Sequence, residues 1–163
     1  MKINKNKYSN SVSYKIDAKE REYLYIKNSQ ISNSGKGLFT AIYIYKDEVI
    51  SLFKGEIINR LEAKTRSKKG KDAYFINLLD GSILDSMEVN CFAKYANDAL
   101  GIAKSKFKIN SKISLDENDN VCIVALRDVK RGEEIFCNYG KQYWENYKTR
   151  LISKRKITET HPR

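Results

Sequence analysis

The feature that most limits how this chain can fold is its punctuation. Apolar and β-branched residues arrive in runs of strand length, each closed by a turn signal. Glu22-Tyr-Leu-Tyr-Ile26 is followed by the polar, turn-rich stretch Asn28–Gly35, and Gly37-Leu-Phe-Thr-Ala41 comes after it. Glu48-Val-Ile-Ser-Leu-Phe53 and Gly55-Glu-Ile-Ile58 repeat the pattern, and Ala73-Tyr-Phe-Ile-Asn-Leu-Leu79 ends on Asp80-Gly81, a hairpin signal. Val121–Leu126 reads as a buried strand and Glu134-Ile-Phe-Cys137 as another, with Arg131-Gly132 as the turn between them. A helical face emerges only after Tyr139, where Tyr143, Trp144, Tyr147 and Leu151 fall in register. Arg60–Asp72 is strongly polar, with a helical turn or two in its first half and an exposed loop beyond. The expectation is a mainly β chain of short strands in irregular order. A length of 163 residues with 41% hydrophobic residues is one domain with a real core.

Around a body spanning 22–145, residues 1–21 read as a basic, flexible arm and 146–163 as a basic helix or tail. The start of the chain is polar, and no apolar run approaches membrane-spanning length. Neither secretion by signal peptide nor a membrane partner is expected. The three cysteines, Cys91, Cys122 and Cys137, form no CxxC pair, which fits a reducing, intracellular compartment and argues against a zinc ribbon. Thirty-one Lys and Arg against twenty Asp and Glu leave a net charge of +11. That excess favours an acidic partner, nucleic acid included, although the positive residues are dispersed more than clustered.

The chemical inventory excludes most catalytic classes. The one histidine, His161, lies two residues from the C-terminus, so histidine triads and histidine-rich metal sites are not expected. Phosphate-binding loops, dinucleotide fingerprints and the GxSxG elbow are absent. An enzyme built from these residues works without histidine and without metal. Phe39, Phe53, Phe75 and Phe136 are expected in the core, Tyr95 as packing, and Glu133-Glu134 at the surface or in a hairpin.

Four segments, taken together and in order, resemble the SET domain of protein lysine methyltransferases: Gly35-Lys-Gly-Leu-Phe39, Phe53-Lys-Gly-Glu56, Asp85–Asp98 and Gly132–Gly140. The resemblance runs from about Tyr23 to Trp144, and lacks the cysteine clusters that bind zinc on either side of the domain in many members. It implies a SET-domain β-fold for 22–145: several small sheets, a knot-like C-terminal segment and a short C-terminal helix. It further implies an S-adenosylmethionine-dependent protein-lysine N-methyltransferase. Its partner is a protein bearing the target lysine, with a histone or nucleosome among the candidates. The location is the nucleus or chromatin in a eukaryotic cell and the cytoplasm otherwise. Gly35-Lys-Gly37 matches the GxG motif beside the cofactor's methionine end, and Phe53-Lys-Gly-Glu matches YxGE with Phe for Tyr. Ile83-Leu-Asp-Ser86 matches the IDA segment, and Tyr95-Ala-Asn-Asp98 stands where the family has RFINHS. Glu133-Glu-Ile followed by Asn138-Tyr-Gly140 matches GEEL and DYG.

By that match Tyr139 is the catalytic tyrosine. Lys36, Gly37, Tyr74, Asn97, Asp98, Tyr139 and Trp144 bind the cofactor, Phe53, Cys137 and Tyr143 line the substrate channel, and no residue binds metal. Two departures stand out. Asp98 replaces the family's usual histidine, and Cys137 stands where a Phe or Tyr is common, which implies room for more than one methyl. The alternative reading is a catalytically weak SET-like module that binds nucleic acid or chromatin through its basic surface.

Overall fold

The computed structural model describes residues 14–101 and 105–149. Most of the expected N-terminal arm and the tail beyond 149, including Leu151, fall outside them. In chain order the elements are β1 (Tyr14–Lys15), α1 (Glu20–Tyr23), β2 (Leu24–Asn28), β3 (Lys36–Thr40), β4 (Glu48–Leu52) and β5 (Glu56–Ile58). Then come α2 (Arg60–Lys68), β6 (Phe75–Asn77), β7 (Ile83–Asp85), a 3-10 turn (Ala93–Tyr95), β8 (Asn97–Asp98), β9 (Ser111–Leu115), β10 (Val121–Ala125) and β11 (Phe136–Cys137). A helix, α3, covers residues 141–149.

The strands form four small sheets: β1-β4-β10-β9, β5-β7-β6, the hairpin β2-β3 and the parallel pair β11-β8. β10 lies between two neighbours and is buried along its length, so its sequence, VCIVA, is apolar without alternation. The Asp80-Gly81 turn joins β6 to β7 as an antiparallel pair, with Gly81 at φ +86°. Leu38, Ile44, Ile50, Ile123, Val129 and Ile135 are fully buried and form the centre of the main core.

Three local expectations are corrected. Glu22 and Tyr23 belong to a helical turn and not to a strand, because the Glu22 carboxylate accepts the Lys19 amide at 3.0 Å and caps α1. The turn is then tied to the core by the Tyr23 hydroxyl, which donates to the Ile50 carbonyl at 2.9 Å. Part of the expected arm is built into the fold: Tyr14 and Lys15 pair in parallel with β4. The basic stretch after β5 is a nine-residue helix, longer than a turn or two, because Asn59 caps its start by accepting the Glu62 amide at 2.9 Å. Arg66 then anchors its far end on Glu56, Glu62 and the buried Asp85.

The segment 134–139 carries the fold's least local connection. Ile135 donates to the Leu38 carbonyl at 2.8 Å on one side, while Phe136 and Cys137 pair with Asn97 and Asp98. Asn110, itself fully buried, accepts the Phe136 amide at 2.7 Å and donates to the Glu134 carbonyl at 2.7 Å. This late segment thus lies between β3, β8 and the start of β9. It delivers the chain to Tyr139 and α3.

Candidate active site

β11 ends two residues before Tyr139, and this fixes where the tyrosine points. Its backbone amide donates to Asp98 Oδ2 at 2.8 Å, and its hydroxyl donates to the Ala96 carbonyl at 2.9 Å. The ring meets Tyr143 edge-on at 4.8 Å between centroids and stacks on Trp144 at 6.0 Å. α3 therefore supplies an aromatic wall, extended by Tyr147 against Trp144 at 5.7 Å. Phe53 and Tyr74 face the same cleft, a space of about 250 Å³ that Asn33, Ser34 and Asn97 also line. Burial pushes the Tyr139 hydroxyl well above its ordinary value, with the neighbouring Cys137, Tyr143, Asp98 and Tyr74 acting in the same direction. Tyr74 is raised too, chiefly by burial and then by Tyr95. Both hydroxyls are neutral donors at physiological pH.

Asn97 joins the cleft to the glycine loop. Its Nδ2 donates to the Lys36 carbonyl at 2.9 Å and to Glu134 Oε1 at 3.4 Å. Glu134 was expected at a surface; it is fully buried. Its carboxylate accepts the Ser29 hydroxyl and the Gln30 amide, each at 2.7 Å, so the burial is compensated by hydrogen bonds from three residues. This also explains Gly37. A Cβ there would sit 2.1 Å from Glu134 Oε1, so the glycine makes room for a carboxylate. Gly35, at φ +69°, serves the turn before β3.

The ten site residues read from the sequence divide accordingly. Phe53, Tyr74, Asn97, Tyr139, Tyr143 and Trp144 line one cleft. Lys36 does not line it: its carbonyl accepts from Asn97, and its ammonium lies on Asn28 Oδ1 at 2.9 Å. Gly37 lies under Glu134. Asp98 is buried behind the wall, accepting Tyr139 N and the Trp144 indole N–H. Cys137 is not on the cleft wall: its thiol is fully buried in the main core and donates to the Ala96 carbonyl at 3.3 Å, and burial raises its pKa.

Sequence reasoning missed Glu134 and Lys94. The Lys94 ammonium gathers the carbonyls of Ser86, Met87 and Val89 at 3.2, 3.1 and 2.8 Å and lies 5.5 Å from the Tyr74 ring centre, fixing that ring's surroundings. Nothing in a lone lysine of the run AKYAND signals this. For Glu134 a signal existed, since adjacent strand residues point to opposite faces and one of Glu133-Glu134 must turn inward.

A family model, that of the SET domain, matches residues 35–140. The histone-lysine N-methyltransferase EZH2 of Chaetomium thermophilum is 29% identical over 126 residues, covering 71% of this chain and 8% of its own length. Among solved structures, the chain of "ctPRC2 in an autoinhibited conformation bound to S-adenosylmethionine" is 26% identical with a TM-score of 0.60, over 82% of this chain and 17% of that one. The Neurospora SET domain protein DIM-5, a histone lysine methyltransferase, shares the fold with a TM-score of 0.58 at 20% identity, over 72% of this chain and 52% of that one. The chain thus spans a small part of the curated relative and about half or less of the solved chains.

Proposed function

The chain belongs to the SET-domain family, and from that premise we propose that it is an S-adenosylmethionine-dependent protein-lysine methyltransferase whose active site is the Tyr139 cleft. The observation that carries this is one grouping: a tyrosine hydroxyl anchored on a backbone carbonyl, in an aromatic cleft that also holds the Asn97 carboxamide. The residues fit the cofactor. Asn33, Ser34 and Asn97 offer polar groups for its amino-acid end, and the rings of Tyr139, Tyr143 and Trp144 offer faces for a cation and for a flat base. When bound, S-adenosylmethionine supplies an electrophilic methyl on a sulfonium.

The protein's own residues do the rest by alignment and desolvation. A free lysine amine, with a pKa near 10.4, is protonated at neutral pH and carries no lone pair to attack with. Phe53, Tyr74 and Tyr143 give the cleft walls no carboxylate of their own, so a lysine entering between them is favoured in its neutral form. The Tyr139 hydroxyl gives its proton to Ala96, which leaves its oxygen lone pairs to accept an N–H of the amine and hold it in line. Asn97, braced by Lys36 and Glu134, sets the polar end of the cleft relative to that line.

For the substrate we infer a histone lysine, supported by the likeness to a histone-lysine N-methyltransferase and by the basic surface at the end of α2, where Lys64, Lys68 and Lys69 are exposed and suit an acidic partner such as a nucleosome. Incubation of the chain with S-adenosylmethionine and core histones or nucleosomes, followed by peptide mass spectrometry, tests both levels. Methylated lysine on histones supports the full reading. Methylation confined to other proteins retains the enzyme and removes the histone. No methylation of any protein, with the cofactor bound, removes the enzyme.

A further inference from the structure

Trp144 is the chain's only tryptophan, and it is held from three sides, by its near neighbour Tyr139 and by two residues more than forty positions away, Asp98 and Gly101. Its indole N–H donates to Asp98 Oδ2 at 2.7 Å, and its ring stacks on Tyr139. Its ring carbons Cζ2 and Cη2 lie against Gly101, where a Cβ would come within 2.8 and 2.9 Å of them. Asp98 is only 7% exposed, and two of its three hydrogen-bond donors, Tyr139 and Trp144, line the cleft. Besides Trp144, its Oδ2 accepts Tyr139 N at 2.8 Å and its Oδ1 accepts Leu100 N at 2.7 Å. A carboxylate accepts on both oxygens at once, whereas a neutral imidazole has one acceptor nitrogen. The residue that departs from the family pattern is therefore the one that joins β8, Tyr139 and α3.

We propose that Asp98, Gly101 and Trp144 form a clasp that fastens α3 over the cleft, making Asp98 a positioning residue for the cofactor site. The clasp shuts one side of the cleft with an indole. The functional consequence rests on the methyltransferase reading; the clasp itself does not.

The single tryptophan makes the test direct. In the full chain, Asp98→Ala is expected to expose the indole, raising acrylamide quenching of Trp144 fluorescence about twofold or more, because no side-chain oxygen is left to accept its N–H. Binding of S-adenosylhomocysteine is expected to weaken about tenfold, the scale of one lost hydrogen bond to a charged group. Trp144→Phe is expected to weaken it equally. The double variant is expected to be no worse than either single one, since both remove the same link. In steady-state assays the loss is expected to appear chiefly as a raised KM for S-adenosylmethionine, a split that a merely structural role would not single out. If Asp98→Ala fails to fold, Gly101→Ala displaces the same ring by sterics and carries the same expectations. Unchanged quenching in the folded variant overturns the clasp. Multiplicative losses in the double variant, or wild-type binding by Trp144→Phe, overturn its role at the cofactor site. If the wild-type chain binds no S-adenosylhomocysteine, the methyltransferase reading fails by itself, and quenching alone decides whether the clasp exists.

Discussion

Tyr139→Phe removes one oxygen from the centre of the cleft and leaves the ring in place. Stability should barely register the change. The lost bond runs from the hydroxyl to the Ala96 carbonyl at 2.9 Å, and that carbonyl keeps a second donor, the Cys137 thiol at 3.3 Å. Stacking on Trp144 and the edge contact with Tyr143 survive. Since a neutral hydrogen bond contributes about 1 kcal/mol net, the expected loss is about 1 kcal/mol or less. For a domain of this size that is a fall of roughly 2–4 °C in Tm at most. Turnover should behave differently. A hydroxyl that aligns the amine chiefly in the transition state is worth roughly 2.7 kcal/mol there, so kcat and kcat/KM should both fall by about 100-fold. Burial keeps the wild-type hydroxyl protonated well beyond the ordinary tyrosine range, so activity should not decline between about pH 8 and 10 through Tyr139 ionisation. The assay is initial-rate methyl incorporation into a lysine peptide, with cofactor binding measured on the same preparations. A Phe variant that keeps turnover within about threefold of wild type would refute the catalytic role of the hydroxyl.

Gly37→Ala drives a Cβ to 2.1 Å from the Glu134 carboxylate and should destabilise by about 1–3 kcal/mol, the usual cost of overpacking, as read by thermal melting. The Glu133 carboxyl, although burial alone would raise it, is held below its ordinary value by Arg127, the Lys130 amide and Asn110. Its stabilisation is therefore full above the unfolded pKa of about 4.3 and lost as pH falls through the lower folded value. Denaturant midpoints should drop in that acid range, and Glu133→Gln should flatten the drop. Exchanging Lys68, Lys69 and Lys71 for Gln should raise the KM for nucleosomes and reduce its salt dependence while leaving a short peptide unaffected, as competing steady-state assays would show. Equal effects on both substrates would assign these lysines to ordinary solvated surface.

What the chain discloses before folding follows the range of the forces involved. Strands such as Val121–Ala125 and the Asp80-Gly81 hairpin are legible because local pattern and tertiary burial agree. Glu22 and Tyr23 mislead because a side chain three residues along caps a helical turn inside a β-rich run. The aromatic residues of the cleft and Asn97 were reached through the motifs that carry the family resemblance. The buried carboxylate that braces Asn97 was not. Glu134 meets Ser29, Gln30 and Asn97 only after segments up to 105 residues apart are brought together, and a buried carboxylate with three donors looks, in sequence, like any surface glutamate. Cys137 misleads for a related reason: as a small residue two before the tyrosine it reads as channel, yet β11 turns it into the core beside Ala96.

Methyl donor and lysine are proposed to meet in the cleft between Asn97, Tyr139 and Trp144. A crystal structure of the chain with S-adenosylhomocysteine and a lysine-bearing histone peptide tests this most directly. The nucleoside product is expected against Asn97 and the Trp144 wall, with the lysine amine within hydrogen-bonding reach of Tyr139 Oη. A product bound elsewhere, such as the groove between α2 and α3 lined by Lys64, Phe75 and Asn146, would contradict it.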